Sequence, residues 1–207
     1  MNELLKAMHF RHACKVFDEN RAIREEDFSD ILESARLSPS SMGMEPTRIL
    51  VVRDKKLRVR LKEACWNQAQ VTSCSELVVL KSLSHVMRYQ SDYVQQVSVR
   101  RGKDKEERNL WISKYKGFLE NMDSSGVSVE NWVSKQSYIV ASSMMNMAAF
   151  LGIDSCPMEG FDKIMVNKIL DIDTFSESVN LLIAFGFRIN PQPDKYRIDI
   201  NDMVKYV

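Results

Sequence analysis

The sequence lacks the usual glycine-rich phosphate loops. Its seven glycines are scattered, and neither GxGxxG nor GxxxxGK[ST] occurs. That excludes a dinucleotide-binding fingerprint and a P-loop, so any nucleotide must be held by other means. Histidine is scarce as well. His9, His12 and His85 lie in no HExxH motif and beside no GxSxG motif, which argues against zinc-dependent and triad hydrolases. The four cysteines, Cys14, Cys65, Cys74 and Cys156, form no CxxC pair. Neither a zinc site nor a disulfide framework is signalled, and a cytoplasmic, reducing compartment is expected. No stretch is long and apolar enough to span a bilayer, and charges interrupt the N-terminal MNELLKAMHFRHACK where a signal peptide would be continuously apolar. Lys+Arg 29 against Asp+Glu 28 gives a net charge of +1, too balanced for the basic footprint of a nucleic-acid binder. Neither nucleic acid nor a membrane is expected as a partner.

What is present is an ordinary globular composition, 44% hydrophobic and 28% charged over 207 residues, enough for one sizeable core. We expect a single domain over 1–207. In EEDFSDILESARL (25–37), Phe28, Ile31, Leu32 and Ala35 recur at helical spacing before the run stops at SPSSMGMEP. TRILVVRD (47–54) and SELVVLKSL (75–83) read as buried strands on either side of a helix at 55–66. The alternation predicts a mixed α/β domain. Between about 88 and 125 the chain becomes a charged helical excursion. RRGKDKEER (100–108) has eight charges in nine residues and reads as a solvated face, while Trp111, Tyr115 and Phe118 need something to cover. The segment 131–151 is apolar on more than one face, as expected of a helix buried in the core or shared with a partner, and its methionines are soft gap-filling surface. A short helix follows with Asp162 as N-cap, then the strand SVNLLIAFGFR (178–188). The polar, proline-bearing tail 189–207 is too weakly patterned to fold alone and is expected to pack on a partner subunit.

Three polar clusters remain for chemistry: Arg11 to Lys15, Ser38 to Ser41, and Lys195 to Arg197. Cations from both ends of the chain could converge on one phosphate, but spacing alone cannot show convergence, and by composition an ordinary solvated surface role is the commoner fate of each cluster. DSCPMEGFD (154–162) offers a catalytic Glu159, a reactive Cys156 or merely a turn. Cys14 has basic neighbours but no resolving cysteine near it in sequence, which favours packing over redox chemistry.

Taken together, RHACKVFD, ARLSPSSMGMEP, WVSKQSYI, GIDSCPMEGFD and LIAFGFR, in this order and at these spacings, resemble the FMN-dependent, oxygen-insensitive NAD(P)H nitroreductases over nearly the whole chain, most nearly those of the Helicobacter and Campylobacter type. The resemblance implies an α+β fold with a central, mostly antiparallel sheet flanked by helices, and an intertwined homodimer with FMN sites between subunits. It implies that Arg11, Lys195 and Arg197 meet the flavin phosphate beside His12 and Ala13, where Ala13 replaces a common serine. Lys15 would lie near flavin N1 and the C2 carbonyl, where a cation favours the two-electron-reduced state. Pro39, Ser40 and Ser41 would approach from the opposite subunit, and Asn67 and Gln70 would lie along the flavin. Pro157, Met158, Glu159 and Gly160 would run beside the ring, with the N–H groups of Glu159 and Gly160 facing N5 and the C4 carbonyl. On that reading Pro157 stiffens a turn, and Gly160 keeps a β-carbon out of the way. Met42 and Phe118 would line the substrate pocket, although Phe118 is equally a core residue by its spacing.

The implied activity is ping-pong, two-electron hydride transfer from NAD(P)H through FMN to a nitroaromatic, a quinone or a related acceptor, with no obligatory side-chain acid or base. Two alternatives stand beside it. One is a flavin or ferric reductase with incidental nitro activity, and the other is a flavin-binding homologue without turnover.

Overall fold

The computed structural model describes residues 2–207. Helix α1 (Glu3–Phe10) starts where the Asn2 side chain accepts the Leu5 N–H, and it ends where Arg11 turns extended. Helix α2 (Glu25–Arg36) turns Phe28, Ile31 and Ala35 inward, as its spacing predicts. It gives way to the SMGME turn, where Met42, Gly43 and Glu45 take φ values of 54°, 62° and 49°. Strand β1 (Thr47–Val52), helix α3 (Lys55–Ala64, capped by Asp54), the single turn α4 (Gln70–Ser73) and strand β2 (Glu76–Leu83) follow. The charged excursion forms α5 (Asp92–Arg101) and α6 (Lys105–Ser124), and the apolar segment forms the long α7 (Val129–Phe150). Strand β3 (Asp154–Met158), helix α8 (Lys163–Ile169), strand β4 (Glu177–Gly186) and the short α9 (Ile200–Met203) complete the chain. Asp162 caps α8 as expected, accepting the Met165 N–H at 3.0 Å.

The strands make one antiparallel sheet in the order β1-β2-β4-β3. Alternation along β2 explains why both faces of the sheet are covered. Leu77 and Val79 face one core with Cys156, Leu182 and residues of α3 and α8, whereas Val78 and Leu80 face another with Ile183, Phe185, α2 and α7. The expectation of two buried strands holds for β2 only. β1 is an edge strand with half-buried residues, because among the described residues no strand pairs on its outer side.

Two further expectations change. DSCPM is not a turn but strand β3, and Pro157 stands in it opposite Ile183. An edge strand accepts proline because one side of it has no ladder to feed, so the turn proper is only EGFD. The stretch RRGKDKEER is not merely solvated. Arg101 donates to the Gly43 carbonyl at 2.9 Å and Arg100 to the Glu45 carboxylate at 3.0 Å, so the basic end of α5 clamps the SMGME turn. The aromatics of α6 find their cover in α7. Tyr115 is fully buried, stacked with Trp111 and tilted against Trp132.

Candidate functional site

The RHACK segment is laid against the outer edge of β3. Ala13 bridges Ser155 in parallel, and the Cys14 N–H donates to the Ser155 carbonyl at 3.1 Å. Asp154, 3% exposed, anchors the junction: Arg188 brings its backbone N–H to one carboxylate oxygen at 2.9 Å and its Nε within 3.1 Å of the other. His12 Nδ1 lies 3.6 Å from Asp154, beyond hydrogen-bond reach. Burial lowers the His12 pKa, with Asp154 opposing and Arg188 reinforcing the shift, so this half-buried ring is biased toward its neutral form.

This packing brings the two ends of the chain together. The Lys195 ammonium donates to the Arg11 carbonyl, and Gln192 donates to the His9 carbonyl at 2.8 Å. Arg11, Lys195 and Arg197 then line one cavity of about 230 Å³ with Leu5, Met8 and His9. Among the described residues none of these three cations forms an ion pair. The Lys195 pKa is lowered by burial and by the charges of Arg11 and Arg197, so the three cations are held close enough to repel one another.

A second group lies along β3 and the turn after it. Lys15 Nζ sits 3.6 Å from the buried Cys156 Sγ, and Gln70 Nε2 lies 3.7 Å from the same sulfur. Gln70 is 3% exposed and also donates to Gln68 Oε1 at 2.9 Å, so its amide is engaged inside the protein. Gln68 in turn donates to the Gly160 carbonyl at 2.7 Å. Trp66 and Asn67 carry φ values of 55° and 57°, an uncommon left-handed pair that folds this loop over the turn. A β-carbon on Gly160 would come within 2.7 Å of the Trp66 ring, so the space beside Gly160 is already taken by the protein. Tyr138 on α7 donates its hydroxyl to the Glu159 carboxylate, and burial with this bond raises the Tyr138 pKa to about 12. Among the described residues, the N–H groups of Glu159 and Gly160 donate to no protein acceptor.

Pro39 and Ser40 lie elsewhere, in a cavity of about 260 Å³ that shares no lining residue with the cation cavity. The Ser41 N–H is held by Gln136 Oε1 at 2.9 Å. Met42 and Phe118, expected at a substrate pocket, both pack on the aromatic cluster of α6 and α7, with Phe118 5.2 Å from Trp132. None of the cysteines forms a disulfide, and burial pushes the Cys14 and Cys65 thiols up to about 11 and Cys74 to about 12. Such thiols stay protonated at neutral pH, which fits packing rather than nucleophilic chemistry.

Residues 8–187 match the sequence pattern of the nitroreductase family. The chain belongs to the nitroreductase family. A Staphylococcus epidermidis protein provisionally named an NAD(P)H nitroreductase is 38% identical to it over 218 residues, covering 100% of this chain and 98% of the relative. Among solved structures, a provisionally assigned Bacillus subtilis nitroreductase superposes with a TM-score of 0.86 at 26% identity, covering 99% of each chain. A Staphylococcus epidermidis protein provisionally titled an NAD(P)H:FMN oxidoreductase superposes with a TM-score of 0.83 at 25% identity, covering 100% of this chain and 97% of that one.

In this nitroreductase-family chain, reasoning from sequence overlooked Asp154, Arg188, Tyr138 and Gln68. Asp154 had no local signal, because it opens a strand that only pairing with β4 defines. Gln68 and Tyr138 had none either. Their partners lie 92 and 21 residues away, in a turn whose placement only the folded sheet defines.

Proposed function

We propose that the chain is an FMN-dependent NAD(P)H oxidoreductase that reduces nitroaromatic compounds, quinones or related acceptors, and that it works as a homodimer. The observation that carries this reading is the convergence of Arg11, Lys195 and Arg197, without counter-charges, on one cavity. A phosphate monoester answers that need through charge-assisted hydrogen bonds. FMN, when bound, supplies the two-electron carrier between nicotinamide and acceptor.

The remaining residues fit the same group. Lys15 is an exposed cation above the floor formed by Cys156, suited to stabilise negative charge at N1 and the C2 carbonyl. The unsatisfied N–H groups of Glu159 and Gly160 offer two donors to the opposite edge of the ring. The Glu159 carboxylate is engaged by Tyr138, so it stands aside from proton transfer. For the dimer, α1 and α7 expose Leu4, Ile139 and Phe150, and the tail exposes Ile198, Met203 and Tyr206. Exposed apolar surface on this scale fits burial against a second copy, whose Pro39–Ser41 segment would complete the site.

Protein purified without added flavin and analysed by absorbance and mass spectrometry tests this reading. FMN at about one equivalent per chain is expected. A colourless protein that also fails to take up added FMN would overturn it.

A further inference from the structure

Gly160 is flanked by two peptide groups whose directions are set by different partners. The Glu159 carbonyl accepts the Phe161 N–H at 3.0 Å, closing a three-residue turn. The Glu159–Gly160 peptide is trans, so the Gly160 N–H points opposite to that carbonyl. The next peptide, Gly160–Phe161, is held at both ends: its N–H by the Glu159 carbonyl, and its carbonyl by Gln68 Nε2 at 2.7 Å. Glycine resists peptide rotation less than any other residue, so the direction of this turn depends on outside restraints. Gln68 is the side chain that supplies one at the carbonyl.

Gln68 is itself restrained. Gln70 donates to Gln68 Oε1 at 2.9 Å, which orients the Gln68 amide so that its NH₂ faces Gly160. Gln70 also reaches Cys156 Sγ, the atom against which Lys15 rests. A continuous chain of contacts therefore runs from Lys15 through Cys156, Gln70 and Gln68 to Gly160. Asp162 adds a backbone tie, its N–H donating to the Ala64 carbonyl at 2.8 Å, which fixes the far end of the turn to the last residue of α3, just ahead of that loop.

We propose that Gln68 is a positioning residue, aiming the Gly160 N–H at the C4 carbonyl edge of the flavin by holding the Gly160 carbonyl from behind. The inference rests on the flavin reading above. Loss of Gln68 lets the Gly160–Phe161 peptide turn, which breaks the Phe161 N–H bond to the Glu159 carbonyl and so frees the preceding Glu159–Gly160 peptide, whose N–H is the donor directed at the ring edge that gains negative charge on reduction.

The test compares wild type with Gln68→Met, which keeps the length and removes the amide, and Gln68→Glu, which keeps the shape and replaces the donor with an acceptor. FMN dissociation constants, visible flavin spectra and flavin midpoint potentials are measured on each holoprotein, with melting temperatures alongside. Both variants are expected to fold, to hold FMN about tenfold more weakly, to shift the flavin absorption bands and to move the midpoint potential to more negative values. Gln68→Glu decides the matter if Gln68→Met fails to fold. Wild-type affinity, spectrum and potential in the folded variants would overturn the role of Gln68 and leave the flavin reading standing. A wild-type protein that takes up no FMN would overturn both.

Discussion

Lys195 donates its ammonium to the backbone carbonyl of Arg11, a contact between positions 184 apart in the chain. It places the C-terminal tail over the end of α1 and adds Arg197 to the same cavity. Removing one cation from a phosphate site costs roughly 1.5–3 kcal/mol. Arg197→Ala should therefore raise the FMN dissociation constant about tenfold or more, and added salt should narrow the difference between variant and wild type. Because Arg197 is exposed, the apoprotein should melt as the wild type does. Fluorescence titration at two salt concentrations, with a melting curve, checks both halves.

Lys15 occupies a different place, over Cys156 rather than in the cation cavity. Its removal should leave phosphate binding intact while withdrawing positive charge from the flavin edge. Lys15→Ala is expected to retain FMN and to show a lower flavin reduction potential, read by equilibration with a reference dye. An unchanged potential would remove Lys15 from this role.

Glu159 and Gly160 should respond in opposite ways. In Glu159→Gln the side-chain carbonyl can still accept the Tyr138 hydroxyl, so FMN binding and most hydride transfer should persist. In Gly160→Val the new side chain meets the Trp66 ring and displaces a loop already held in left-handed geometry. FMN affinity should fall by more than tenfold. Titration of both variants, followed by single-turnover reduction, separates backbone from side-chain function. A larger loss in Glu159→Gln would restore the acid that the sequence first suggests.

The helices and the central strand were legible because apolar periodicity is a local signal: Phe28, Ile31 and Ala35 on α2, and the β-branched run of β2, read the same way in one dimension and in three. DSCPM was misread because Cys156, Pro157 and the glycine that follows carry turn chemistry. What makes the segment a strand is pairing with β4, nearly thirty residues later. The convergence of Arg11 with Lys195 and Arg197 was an open alternative from spacing alone and an implication of the resemblance. The fold brings them together. The clamp of Arg100 and Arg101 on the SMGME turn was invisible, because nothing in a charge run names a distant carbonyl as its partner.

His12 supplies a pH dependence. Its folded pKa lies below the ordinary 6.5, chiefly through burial, so the unfolded chain binds the proton more readily. Its contribution to stability is complete above about pH 6.5 and is lost as pH falls from there through the lower folded value. The melting temperature of the apoprotein should decline over that window, and His12→Gln should flatten the decline. An equal slope in the variant would assign the acid sensitivity to other groups.

The most direct test of the account is an anaerobic double-mixing experiment on the FMN-loaded protein. NADH or NADPH is mixed first, and a nitroaromatic compound or a quinone second, with the flavin absorbance followed throughout. The account predicts bleaching in the first mix with at least one nucleotide and recovery of the oxidised spectrum in the second. A flavin that stays oxidised with both nucleotides, or stays bleached with every acceptor, would contradict it.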